Sequence, residues 1–573
     1  MPNRYVSYVG APGTANGSFP PAFLIGSHTI TQPLVDITYV KAHLSLLGAF
    51  KALEQRVETC LEDDLPVLAR GLDSTEQKSR RWVWFVCLAV ERFHRWAKCA
   101  TANQDTESWV HAEAPPLDVL MVWHAYMLNP AWYGDDCLRV SALRTLRALN
   151  DRLLPALVVM GNPAKYRPSE ERKPYLGEDG RGFAQQGFKL TCSCCSLAID
   201  KPALALDKLA SDLVKDHNDP DATMDAYLPG TLRSPTDLAY IKRARQIKDR
   251  IVNIDQFRQP KACTREEWRR KIKEDFDHSI NNVHDTLRPM PQRALGLLKR
   301  MLNRILSAYT DDSPFSIDLV SAVIRQGSFT SKMHYFGWTA PGYFDKPIDE
   351  VVLVHAITRY HAFLDLMAPS PASFFVPTLD IDLVWHTHQL TAGKYADDCM
   401  EYVERYIDHD DKVEENHLAN AFDVTCRVWQ QRFGVPYTYC GCPLPGDSIG
   451  DKLQRLLRRR SEQPSDLCPP AHPDAPLATH ASEHNAVQVQ LSSALGKHKA
   501  AELRRQRELR ERKMHERRKR DERRMLKGEF DPEQYQRGQR HDIVFMAAVP
   551  FISPAGPGAT GSHDVAHGKP TRL

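Results

Sequence analysis

A block of about twenty residues occurs twice in this 573-residue chain, and any fold the chain adopts must house both copies. The first runs Pro115, Pro116, Leu117, Asp118 and Val119, then Val122, Trp123, His124, Tyr126, Leu128, Tyr133, Asp135, Asp136 and Cys137. The second runs Pro377, Thr378, Leu379, Asp380 and Ile381, then Val384, Trp385, His386, His388, Leu390, Tyr395, Asp397, Asp398 and Cys399. A single offset of 262 residues aligns every pair without a gap. Upstream of each copy lies a weaker echo, Ala89-Val90-Glu91-Arg92-Phe93-His94 against Ala356-Ile357-Thr358-Arg359-Tyr360-His361. Its distance to the Trp-His pair differs by five residues between copies. This pattern reads as an ancient duplication of a helical unit in which one loop changed length.

The periodicity agrees with a mainly α fold. Ile37, Val40, Leu44, Leu47, Phe50, Leu53 and Val57 recur at helical spacing, and Trp82 to Trp96, Ala203 to Val214 and Val351 to Leu366 do likewise. Asn129 before Pro130 has the residue types of an N-cap and first helical position, which divides the first copy into two helices; Thr391 holds the matching place in the second. The expected organisation is an irregular lead-in over 1–33, a first helical half over 34–160, an insertion over 161–290 and a second helical half over 291–442. A Pro-, Ser- and His-rich disordered linker over 443–495, a basic single helix over 496–530 and a low-complexity tail over 531–573 complete it.

Composition narrows the class. Hydrophobic residues at 42% and charged residues at 26% fit a globular protein, and no run of eighteen apolar residues suggests a transmembrane span. The opening Met1-Pro2-Asn3-Arg4-Tyr5 lacks the order of a secretory signal, so a cytoplasmic location is expected. Thirteen cysteines scattered through helical segments read as reduced thiols rather than a disulfide framework. The overall charge is +3, but residues 497–527 hold fifteen Lys or Arg against six Asp or Glu. That local +9 leaves −6 for the rest of the chain.

What both copies keep is best explained by structure. Asp118, Trp123, His124, Tyr133 and Asp136, with Asp380, Trp385 and Tyr395, are therefore assigned to a packed polar core in which carboxylates and ring nitrogens satisfy one another. The second copy alone has Asp382 and His388, where the first has Leu120 and Tyr126, so a function specific to that half would sit there. On a helix entered at Thr378, Asp382, His386 and Gln389 share a face, and Leu379, Leu383, His386 and Leu390 form one stripe. His386 and His388 lie about 200° apart and cannot close on one ion. Asp382, His386, His388 and Asp398 are the ligand or metal candidates, with zinc or iron as the ion considered, and no residue is assigned as catalytic. His409-Asp410-Asp411 contains the His-x-Asp of a two-histidine, one-carboxylate iron site, but without a second histidine or a β-sandwich scaffold it reads as a solvated loop.

Two further clusters invite chemistry. Cys192 and Cys195 form half a zinc knuckle, which Cys440 and Cys442 would have to complete; free thiols are the alternative. Arg517, Arg518, Lys519 and Arg520 in the basic helix would serve as a nuclear import signal or as an RNA contact through residues 497–527. Interleaved acidic residues and the lack of aromatics equally suit a solvated spacer.

The run Asp380-Ile381-Asp382-Leu383-Val384-Trp385-His386-Thr387-His388-Gln389-Leu390, followed by Tyr395 and His409-Asp410-Asp411, resembles the glycine-rich domain-containing protein-like family of plants and fungi. The likeness extends to Leu34 to Leu53, Pro314 to Met333 and Phe422 to Tyr437. It implies a part in development or stress responses rather than a defined chemical step. Relatives with an RNA-recognition module or a long glycine-rich tail differ from this chain, which shows neither. The α-ketoglutarate-dependent sulfonate dioxygenase label carried by some fungal relatives finds no support in the residues. The expected role is therefore an intracellular binding or scaffold protein with protein partners, against which stand a metal-dependent enzyme and an RNA-associated protein.

Overall fold

The computed structural model describes residues 18–59, 75–100, 105–166, 189–191, 198–217, 226–232, 235–236, 239–287, 289, 299–409, 413–440, 465–482, 486–488, 512, 516, 519, 523–524, 526–528 and 549–550. The fold is mainly α. The helices used below are α1 (Ile37–Thr59), α2 (Thr75–Cys99), α3 (Leu117–Met127), α4 (Pro130–Arg139), α5 (Lys201–Val214), α6 (Ala239–Val252), α7 (Arg265–Asp275), α8 (Ile280–Leu287), α9 (Lys299–Ser307), α10 (Leu319–Tyr335), α11 (Pro347–Met367), α12 (Leu379–Gln389), α13 (Ala392–Tyr402) and α14 (Glu415–Phe433). Their starts follow local chemistry. The Asp318 carboxylate accepts from Ser321 N–H at the head of α10, and Thr264 and Glu267 form a reciprocal capping box on α7. Pro347 opens α11, with Asp349 and Glu350 in its positive first turn. The Phe23–Ile25 and His28–Ile30 strands make a hairpin whose Gly26, at φ +59°, donates its N–H to Asp365 on α11.

The two sequence copies occupy corresponding helix pairs, α3–α4 and α12–α13, and the same contacts recur in each. Arg92 on α2 meets Asp118 at 2.6 Å, and Arg359 on α11 meets Asp380 at 2.7 Å. Trp123 Nε1 donates to Tyr133 OH at 3.3 Å, and Trp385 Nε1 to Tyr395 OH at 2.9 Å. Tyr133 OH in turn reaches Leu146 O at 3.2 Å, and Tyr395 OH reaches Ile407 O at 2.9 Å. Helix α4 begins at Pro130 as its sequence suggests, yet the Asn129 side chain does not cap it. The Asn129 amide instead donates back to Ala125 O, as Thr391 Oγ1 does to His388 O, which tightens each inter-helix corner.

The halves are not separate bodies. One continuous apolar core runs from Ile25 through Leu157 and again from Phe315 to Ala481, with α1 packed against both α3 and α12. The insertion has its own core around Trp268, formed by residues from Ala205 to Tyr309. Leu302, Ile305, Leu306 and Tyr309, expected in the second half from 291 onward, belong to this insertion core, because the apolar stripe of α9 faces α5 through α8. The insertion is tied to the first half through Asp135, which accepts from Tyr227 OH at 2.9 Å and Gly230 N–H at 3.0 Å.

The stretch 443–495 also departs from its expectation as a disordered linker, since residues 465–482 within it fold onto the main core. Leu467, Ala475 and Ala478 are fully buried there, and Asp474 accepts from Trp338 Nε1 at 3.0 Å and from the Tyr343 hydroxyl. Leu379 N–H, a free donor at the head of α12, finds His480 O at 2.8 Å, and Ser482 N–H finds Pro377 O at 2.9 Å. Composition alone reads as linker; the unsatisfied helix terminus supplies the docking site.

The paired ion contacts give a comparison within one molecule. Arg359 and Asp380 are 0% and 1% exposed, whereas the Arg92 side chain is 18% exposed. Arg359→Ala should cost about 3–5 kcal/mol by leaving Asp380 buried and uncompensated. Arg92→Ala should cost less, about 1–3 kcal/mol, since the guanidinium side of this pair is open to water although Asp118 itself is 7% exposed. Urea denaturation of the two variants checks this, and equal losses would contradict it.

Candidate metal centre on the buried helix α12

All eleven residues of α12 are buried, so its polar side chains depend on partners inside the protein, which all but Gln389 have among the described residues. Asp382 and His386 lie one turn apart on the same face, as their spacing of four predicts. His386 Nε2 is 3.3 Å from Asp382 Oδ1 and 3.2 Å from His409 Nε2, and His409 Nε2 is 3.7 Å from the same Asp382 oxygen. The other Asp382 oxygen accepts from Ser482 Oγ at 2.5 Å. His409 Nδ1 lies 3.0 Å from Leu128 O, a carbonyl that can only accept. That bond protonates Nδ1 and leaves the Nε2 lone pair of the neutral ring directed at Asp382 and His386, the usual arrangement behind a metal-binding histidine.

Three ligand atoms with these separations lie on a circle of radius about 2.0 Å. An ion slightly above that plane would sit roughly 2.0–2.2 Å from each atom, the bond length of zinc to imidazole nitrogen and carboxylate oxygen. The set is also two histidines and one carboxylate, the donor combination of non-haem iron. His409 was not foreseen in this role, because its Asp-rich neighbourhood reads as a solvated loop; in the structure it is 2% exposed and edge-on to Trp385. Asp410 and Asp411 lie outside the described residues.

The other two metal candidates form a separate unit. His388 Nε2 donates to Asp398 Oδ2 at 2.9 Å, and its Nδ1 accepts from Tyr360 OH at 2.9 Å. Lys394 also pairs with Asp398. Burial lowers the His388 pKa against the opposing pull of Asp398, while the Asp398 carboxyl, despite its burial, is held below its ordinary value by His388 and Lys394. Both ring nitrogens of His388 are thus engaged, and His388 and Asp398 do not join Asp382 and His386. The first copy makes the simpler contact at this place, with Tyr126 OH donating directly to Asp136 at 2.5 Å.

The first-copy counterpart of His386 shows what the centre looks like without its carboxylate. His124 Nε2 meets His43 Nε2 at 2.9 Å, and Leu120 stands where the second copy has Asp382. Thr387 Oγ1 donates to Leu383 O, so it accepts from His43 Nδ1–H at 2.9 Å. His43 Nε2 is then the acceptor and His124 Nε2–H the donor. This chain is complete with neutral rings, and burial pushes His124 down to about 3 and His43 well below its ordinary value. His43 itself, reaching from α1 to both copies, carries no signal in the repeat and was missed by sequence.

The remaining candidates are placed more simply. Cys192, Cys195 and Cys442 lie outside the described residues; Cys440 Sγ is 3.4 Å from His480 Nδ1. Of the basic tail, Lys519 is described as helical and exposed, while Arg517, Arg518 and Arg520 lie outside the described residues. No helix among the described residues is long and apolar enough to cross a membrane.

A helical protein that repeats one contact set and gathers two histidines and a carboxylate on a buried helix is the class this geometry defines. Residues 264–398 match the family model described as glycine-rich domain-containing protein-like. Two relatives from Arabidopsis thaliana align with it: glycine-rich domain-containing protein 1 is 34% identical over 135 residues, and glycine-rich domain-containing protein 2 is 35% identical over 139. These alignments cover 22% and 23% of this chain but only 15% and 16% of the relatives. No solved structure gives a significant match. Asp382 and His386 lie within the family match; His409 and the first copy lie beyond it.

The neutral buried histidines set an acid limit on stability. Burial lowers His124 and His355 to about 3 and His361 to about 4, with His43 also lowered, whereas the unfolded chain takes up these protons near pH 6.5. Their contribution is complete above pH 6.5 and is lost as pH falls from there toward the folded values. Each would remove up to about 2 kcal/mol between pH 6.5 and 5. Burial raises Asp135 to about 6 and also raises Asp118 and Asp312, which work in the opposite sense and offset part of this loss. Urea denaturation at pH 7 and pH 5 should show a loss of several kcal/mol, summed from these per-group values; equal stability at the two pH values would contradict the neutral-histidine assignment.

Proposed function

We propose that this protein is a binding or scaffold protein whose second half is built around a divalent-metal centre held by Asp382, His386 and His409. The observation that carries the reading is the convergence of three ligand atoms within 3.2–3.7 Å of one another, with His409 oriented from behind by Leu128 O. The ion would be zinc or iron. It would fasten α12, the loop bearing His409 and, through Ser482 and Leu128, two further segments of the chain. Burial of all three ligands at 2% exposure or less favours such a fastening role over turnover of a substrate. The repeated contact set is in keeping with duplication of a helical unit whose copies now differ at Leu120 and Asp382. A place in stress or developmental signalling is what the family resemblance adds to this reading.

A metal-dependent enzyme is the second reading, favoured by one feature: three protein ligands leave a tetrahedral ion one open position. The experiment that tests metal binding uses the full-length protein. Asp382→Asn keeps the shape and the Ser482 contact but removes the charge. The wild type should hold one equivalent of zinc or iron by elemental analysis and lose thermal stability on chelation. Asp382→Asn should weaken binding about 100-fold, an effect of the size seen when supporting groups of metal sites are removed, while Cys440→Ser should leave it unchanged. No bound metal and no stabilisation by added zinc, ferrous or manganous ion would overturn the proposal, as would metal lost with Cys440→Ser alone.

A further inference from the structure

Gln389 closes helix α12 and is fully buried, yet neither its Nε2 nor its Oε1 has a hydrogen-bond partner among the described residues. A buried amide with both ends unmet is costly, because desolvation is incurred without compensation.

Helix geometry sets this amide beside the three proposed ligands. At 100° per residue, Gln389 leaves α12 about 20° from the direction of Asp382 and about 60° from that of His386, close to one turn beyond His386. The His409 ring packs edge-on to both Trp385 and His386, with ring centroids 5.0 and 4.9 Å away, so it lies over the arc between those two side chains. The direction of Gln389 falls inside the same arc. Helix side chains lean toward the N-terminus, which carries the amide back over the turn that holds His386 and faces His409. The Phe329 ring, 4.6 Å from that of His386, adds an apolar wall.

Three protein ligands leave a tetrahedral ion one further position. Gln389 makes no hydrogen bond to Asp382, His386 or His409, so its amide is set to engage what the ion holds rather than the ligands themselves. We propose that Gln389 retains a water molecule on the ion, its Oε1 accepting from an O–H of that water. Water on a divalent cation is a strong donor, and a neutral amide oxygen accepts from it without adding a second charge to the buried site. Gln389 is then a positioning residue that acts through the water, and this inference rests on the metal centre proposed above.

The test compares full-length wild type, Gln389→Met and Gln389→Glu, each metal-free and loaded with zinc. Methionine keeps the length of the side chain and removes both polar ends. Metal-free Gln389→Met should melt no lower than the wild type, because an unmet buried amide is gone. Its zinc affinity, measured by competition with a chelator, should nevertheless fall about 10- to 100-fold, the loss typical when an outer partner of a metal site is removed. Gln389→Glu keeps an acceptor at this place and should hold zinc at least as tightly as the wild type. In crystals of the zinc-loaded wild type, a water oxygen should lie about 2.0–2.2 Å from the ion and about 2.5–3.0 Å from Gln389 Oε1. Unchanged zinc affinity in Gln389→Met, a lower metal-free melting temperature of that variant, or direct coordination of zinc by Gln389 would overturn this inference and leave the metal centre standing. Absence of zinc binding in the wild type would overturn both.

Discussion

Helix α12 has no exposed face, yet seven of its eleven residues carry groups that water would otherwise satisfy: Asp380, Asp382, Trp385, His386, Thr387, His388 and Gln389. Each unmet group would cost on the order of 1–3 kcal/mol, a large share of the net stability of an ordinary domain. Apart from the Gln389 amide, which has no hydrogen-bond partner among the described residues, the partners come from every side. Arg359 on α11 meets Asp380, Ser482 meets Asp382, His409 meets His386, His43 on α1 meets Thr387, and Tyr360 with Asp398 meets His388. Satisfying one helix thus fixes the positions of α1, α11, α13, the loop at His409 and the segment at 465–482.

This constraint also accounts for the union of the two halves. The α3–α4 and α12–α13 pairs each have an internal set of Arg–Asp and Trp–Tyr contacts, which fixes each pair locally. Within the continuous apolar core that unites them, histidine contacts also cross the boundary: His43 bridges His124 and Thr387, and His409 reaches Leu128 O. The insertion stands outside this network, with a core of its own and a polar attachment at Asp135. The copies differ in chemistry at one position. With Leu120 the first copy closes into a neutral two-histidine chain, whereas with Asp382 the second gathers an anionic oxygen and two ring nitrogens at one point.

Sequence revealed the parts of this arrangement that are local. The offset of 262 residues located both helix pairs, and the spacing of four placed Asp382 and His386 on one buried face. The separation of His386 from His388 also followed from helix geometry. What could not be read was long-range. His409 lies 23 residues beyond His386 in a run that looks solvated, and Ser482 is 100 residues from Asp382 in a stretch whose proline and histidine content suggests a linker. His43 sits on an ordinary amphipathic helix. In each case the decisive fact was the unmet need of a buried group elsewhere, which has no local sequence trace.

X-ray absorption at the zinc edge of the full-length protein loaded with one equivalent of zinc tests the central claim most directly. The account predicts a first shell of nitrogen and oxygen at about 2.0–2.1 Å, with the outer-shell scattering of two imidazole rings and no sulfur. A sulfur shell at about 2.3 Å, or low-atomic-number ligands without imidazole scattering, would contradict it.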